Sequence, residues 1–167
     1  MRLVRPLLCA LALATTAAAV QAASGTGNFQ VSATVASSCT VSGALLNFGS
    51  AIDPLAASVP VDASSALTVQ CTNTTPYAVS LDAGLNAGGA GNFGSRSMKS
   101  GSNALAYQLY VNAGRTTVWG DGSGGSSTAS GTGTGSTQNI TVYGRVPSLS
   151  GVVPGTYTDT VTVTITY

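Results

Sequence analysis

Residues 155–167 read GTYTDTVTVTITY, and from Tyr157 onward they alternate without a break. Tyr157, Asp159, Val161, Val163, Ile165 and Tyr167 share one parity, and Thr158, Thr160, Thr162, Thr164 and Thr166 take the other. Successive side chains of a strand point to opposite faces, so the segment predicts a ribbon with one mainly apolar face and one hydroxyl face. Threonine on an exposed face is ordinary β propensity, and a single such strand lacks the repeated flat array that ice binding needs. A ribbon of this kind must pair with another strand along its edge.

The same period of two recurs along the chain, and no segment carries a helical period. NFQVSATV (28–35) puts Phe29, Val31, Ala33 and Val35 on one face. CTVSG (39–43) begins a second strand that LLNFG (45–49) continues, and DPLAASVP (53–60) is a loop. ALTVQCT (66–72) aligns Leu67, Val69 and Cys71, and PYAVSLDAG (76–84) aligns Tyr77, Val79 and Leu81. After a glycine-rich loop, ALAYQLYVN (104–112) aligns Leu105, Tyr107, Leu109 and Val111. QNITVYGRVP (138–147) aligns Ile140, Val142 and Val146, with Gly144 as a bulge. GDGSGGSSTASGTGTGS (120–136) reads as a mobile loop. Short alternating runs between turn residues predict an all-β, antiparallel sandwich or barrel.

Residues 1–22, MRLVRPLLCALALATTAAAVQA, read as a signal peptide: two arginines, a short apolar run, then small residues before a cleavage point after Ala22. The run falls short of the roughly 18 apolar residues of a membrane span. No second apolar span follows, so the mature chain is expected to carry none. Cys9 leaves with the leader, and Cys39 and Cys71 remain. Two cysteines in an exported chain most simply form one disulfide, the alternative being two buried thiols.

Removing Arg2 and Arg5 with the leader leaves Arg96, Lys99, Arg115 and Arg145 against five aspartates, a net charge of −1. Such a surface does not steer nucleic acid or anionic lipid. The chain has no histidine and no glutamate. That removes the histidine-based nucleophile sites, and two cysteines alone do not make a zinc site. Asp53, Asp82 and Asp121 sit at turns, where they bond their own backbone. No catalytic, cofactor or metal residues are assigned, and an enzyme is not expected. Arg115 lies near Trp119 and reads as a structural residue, its stem along the indole or its guanidinium on loop carbonyls. Few, scattered aromatic residues argue against a glycan-binding module.

The segment before Cys39 admits two readings. Residues 28–35 pair within their own domain, or they reach another subunit, since an exposed sheet edge accepts a strand from another chain. The last strand would be the natural neighbour of such a guest.

Taken in order, NFQVSATVASSCTVSG, LNFG, VQCTNTTPYAVSLDAG, LAYQLYVNAGRTTVWGDG, TVYGRVP and GTYTDTVTVTITY resemble the spore coat protein U domain. That family includes the subunits of archaic (Csu-type) chaperone–usher pili. The resemblance implies an incomplete immunoglobulin-like antiparallel β-sandwich, completed by a donated strand and holding one disulfide, Cys39–Cys71. It implies a signal peptide (1–22), an N-terminal donor segment (23–37) and a sandwich domain (38–167). The inserting side chains would be Phe29, Val31, Ala33 and Val35, and Val161, Val163 and Ile165 would line the acceptor groove. The implied partners are identical or related pilin subunits, a periplasmic chaperone and an outer-membrane usher. Export through the inner membrane would lead to the periplasm and then to a surface pilus that supports adhesion or biofilm formation. A single domain argues for a shaft subunit. The alternative is a self-contained secreted coat or matrix protein, in which 28–35 pairs in its own chain.

Overall fold

The computed structural model describes residues 19–167. The expected leader, Cys9 included, lies outside the described residues except for 19–22. The chain divides into two units, Met1–Thr34 and Val35–Tyr167. In the first unit no described residue belongs to a strand, and Phe29 and Val31 are 88% and 81% exposed. Ala33 is exposed too, as is Val35 at the start of the second unit. The alternation over 28–35 therefore gives two faces without a strand. A strand is made by a hydrogen-bonded neighbour, and side-chain parity alone does not provide one.

The second unit holds nine strands: β1 (Cys39–Ser42), β2 (Val61–Cys71), β3 (Pro76–Leu81), β4 (Ser97–Ser100), β5 (Asn103–Ala106), β6 (Gln108–Tyr110), β7 (Ala129–Thr132), β8 (Thr137–Val146) and β9 (Val163–Thr166). A single 3-10 turn, Phe93–Ser95, is the one helical element among the described residues. The sheets run β1-β2-β8-β6 and β7-β3-β9, with β4-β5 as a separate hairpin, and every ladder is antiparallel. β2, β8 and β6 supply Leu67, Val69, Val142, Val146 and Leu109 to the core, and β3 supplies Tyr77, Val79 and Leu81. Trp119 is fully buried with them and donates its indole N–H to the Val79 carbonyl at 2.9 Å. The unit is the expected all-β, incomplete immunoglobulin-like sandwich.

Cys39 and Cys71 are bonded, and they face each other across the β1–β2 ladder with Cα atoms 4.1 Å apart. The bridge closes a 32-residue separation, which in the chain-entropy picture stabilises by roughly 3–4 kcal/mol.

Several elements depart from the expected bounds. β2 begins at Val61, because polar Asp62 and Ser64 face outward there. Asp62 receives two bonds from Arg145 on β8, at 2.8 and 2.9 Å. The expected run 104–112 divides at Tyr107 into β5 and β6. Lys99 lies on β4. Gly144 forms no bulge: it pairs in register with both Ala63 and Leu109. It is glycine because a Cβ there would stand 2.8 Å from the Phe48 ring and 2.9 Å from Leu46. LLNFG does not extend β1, which ends at Ser42.

The segment 120–136 is not one mobile loop, since β7 pairs with β3 in its middle. Its glycines serve close approach: a Cβ on Gly131 would lie 2.5 Å from the Tyr77 hydroxyl, and Gly133 sits against the Thr72 carbonyl. Arg115 is structural, but through its guanidinium rather than along Trp119. It bonds the carbonyls of Gly144 (3.1 Å), Ala113 (3.2 Å) and Ala63 (3.3 Å) and pairs with Asp62 at 3.3 Å.

Candidate functional site: an apolar cleft beside an unpaired edge

β9 pairs with β3 on one side, from Ala78↔Thr166 to Leu81↔Val163. On its other side no strand is bonded to it among the described residues. The chain leading into β9 is held on the same single flank. Thr158 exchanges two main-chain bonds with Lys99, at 2.9 and 3.0 Å, Leu85 N–H donates to Thr160 O, and Asp82 N–H donates to Thr162 O. The regular ladder starts only at Val163 because the Asp82 carboxylate, not a carbonyl, accepts the Thr162 N–H at 2.9 Å. The expected parity holds from Tyr157 to Ile165: Tyr157, Asp159, Val161, Val163 and Ile165 are half-buried and the intervening threonines exposed, while Tyr167 at the end is exposed too.

On the facing sheet β1 covers β2 only over Thr68–Cys71. The stretch 61–67 has β8 on one side and no strand on the other among the described residues. Between this stretch and the β9 edge lies a cleft of about 740 Å³. Leu67, Leu109 and Val142 line it from one sheet, Leu81, Val161 and Val163 from the side of β3 and β9, and Leu105, Met98 and Leu149 line it as well. Two of the expected groove residues, Val161 and Val163, thus border it. Ile165 packs into the core farther along, opposite Val79.

One end of the cleft is polar. Tyr107, 7% exposed, donates its hydroxyl to Asp159 Oδ2 at 2.7 Å, and Asn86 Nδ2 donates to Asp159 Oδ1 at 2.9 Å. Burial, reinforced by the hydrogen bond to Asp159, pushes the Tyr107 phenol far above its usual range, so it acts here as a fixed hydrogen-bond donor. Arg96 stands behind this end, 1% exposed, and donates to the Asp82 carbonyl (2.6 Å) and to Gln108 Oε1 (2.8 Å).

The remaining carboxylates do turn and surface work. Asp53 accepts from Leu55 N–H and Asp121 from Ser123 N–H, as their positions in the sequence suggest. No cluster of three metal-ligating side chains occurs among the described residues. Chemically, the site can bind: it offers an apolar trough and a free main-chain edge, the two things an extended apolar strand needs. The expected donor side chains, Phe29, Val31, Ala33 and Val35, are exposed and in no strand.

The sequence reading missed Leu46, Phe48 and Ile52, which reach into the cleft from a segment without regular structure. Their signal was the apolar spacing of Leu46 and Phe48 together with the side-chain gap at Gly144.

The pattern of the Spore Coat Protein U domain matches residues 25–164. The chain is 34% identical over 159 residues to Protein U of Myxococcus xanthus, covering 88% of this chain and 87% of that protein. It is also similar to a chain of the CsuC–CsuE chaperone–tip adhesion subunit pre-assembly complex from the archaic chaperone–usher Csu pili of Acinetobacter baumannii. There the TM-score is 0.57 and the identity 29%, over 80% of this chain and 40% of that one. No helix among the described residues is long and apolar enough to cross a membrane. With its sandwich, its disulfide and a match along nearly all of its length, the chain belongs to the Spore Coat Protein U domain family.

Proposed function

We propose that the chain is a structural subunit of a surface pilus, assembled by the chaperone–usher pathway through donor-strand exchange. The observation that carries this reading is the pairing of need and supply within one sequence. The sandwich has an apolar cleft beside an unpaired β9 edge, and 28–35 alternates without a partner. The uncovered stretch 61–67 and the alternating segment 28–35 are close in length, seven and eight residues. The occupant is then the N-terminal segment of a second copy or of a related subunit, about Gly27 to Ala36. Phe29, Val31, Ala33 and Val35 would point into the cleft. Each large apolar side chain so buried contributes roughly 1.5–3 kcal/mol before ordering costs, Ala33 less, and the main-chain ladder along β9 fixes register.

The chaperone in the similar pre-assembly complex supports a periplasmic chaperone as the cleft's first partner. An outer-membrane usher would exchange that chaperone for the next subunit. The route runs from export behind the leader 1–22, through the periplasm, to a surface fibre that supports adhesion or biofilm formation. The role is structural, not enzymatic.

A second reading, a self-contained secreted coat or matrix protein, draws on the near full-length match to Protein U. It requires 28–35 to pair inside its own chain. Val31→Asp separates the two. A charge inserted into the apolar cleft costs too much for the strand to seat, so multimers should disappear while the variant still copurifies with a periplasmic chaperone. Normal multimers from Val31→Asp would overturn the insertion register.

A further inference from the structure

We infer that residues 43–52 form a displaceable wedge that occupies the cleft of the free subunit and leaves when a strand inserts. This inference rests on the donor-strand reading and concerns what controls the same cleft. The wedge carries Leu46, Phe48 and Ile52 into the cleft, all three half-buried against the core. Leu46 and Phe48 fill the space left by Gly144, and the Phe48 ring stands 6.3 Å from that of Tyr107.

Its main chain is held differently from the strands that wall the cleft, which sit in ladders. Among the described residues no main-chain hydrogen bond joins 43–52 to a strand, and its one polar tie is local, Gly49 N–H to Asn47 Oδ1 at 2.9 Å. Apolar contact without a ladder is the weakest kind of attachment in a sandwich. Such a segment can open without breaking a strand pair, at a free energy well below that of global unfolding. It shields apolar surface that would otherwise promote aggregation, and it competes with an incoming strand for the same space. Whatever it contributes to the free state is subtracted from the apparent affinity of the guest.

The test uses the full chain carrying Val31→Asp, so that its own first segment does not insert, and a fluorescent synthetic peptide spanning residues 25–37. Two readouts are taken: peptide affinity with the wedge intact and with Leu46→Ala plus Phe48→Ala, and chymotryptic cleavage after Phe48 with and without peptide. The wedge predicts that the double variant binds peptide about tenfold more tightly, the equivalent of 1.4 kcal/mol. It also predicts that peptide accelerates cleavage after Phe48 in the intact wedge, a readout that does not depend on the double variant folding. Peptide binding with Phe48 unchanged or better protected means that the segment is a permanent wall, and the inference falls while the donor-strand reading stands. Absence of binding to either protein removes the donor-strand reading, and the wedge with it.

Discussion

Asp82 Oδ1 accepts two main-chain N–H groups, from Gly84 and from Thr162, each at 2.9 Å. It thereby ties the turn after β3 to the approach of β9. Burial pushes its carboxyl up, but the hydrogen bonds from Thr162 and Gly84 outweigh burial and hold it below the usual carboxylate range. Since its folded pKa is depressed, its stabilisation is complete above the unfolded value of about 3.9 and is lost as pH falls through the folded value. Asp82→Ala strands two amides and should cost about 1–3 kcal/mol at neutral pH. Below pH about 4 the gap to the parent should narrow. Urea titrations of both proteins at neutral and acid pH check this, and a gap independent of pH would contradict it. The Gly84 bond was legible in LDAG as a turn. The Thr162 bond was not, because it joins residues 80 apart in sequence. Buried Arg96 had no sequence signal either: its burial depends on Gln108 and the Asp82 carbonyl, which only the fold brings to it.

Among the elements, parity was readable wherever one face meets the core. Leu67, Val69 and Cys71 on β2 and Tyr77, Val79 and Leu81 on β3 are all buried as their alternation implies. Strand ends were less readable, since a ladder can extend through polar residues such as Asp62 when a partner like Arg145 stands opposite. Composition misled at 120–136, where glycine suggested mobility but instead lets β7 lie against Tyr77 and Cys71. Amide exchange tests this directly. Amides in Ala129–Thr132 that bond to β3 should be protected, while those of Gly124 and Gly125 exchange freely; uniform fast exchange across 120–136 would mean that β7 does not pair. At 28–35 perfect alternation gives two faces, and without a neighbour the segment forms no strand.

For the whole molecule, the sandwich is short of one strand's worth of cover beside β9, and the chain carries an alternating segment with no place in its own strands. Low charge and an open apolar edge would ordinarily invite indiscriminate association; in the proposed fibre a dedicated guest strand would replace that with one register and one direction of growth. The most direct test is an unboiled denaturing gel of the mature chain beside a deletion of residues 23–36, both co-expressed with a periplasmic chaperone. Donor-strand exchange predicts a heat-sensitive ladder of multimers from the full chain and only chaperone-bound monomer from the deletion. A single monomer band from a full chain that is stable without chaperone, with unfolding of the deletion, would contradict it and make 28–35 part of its own domain.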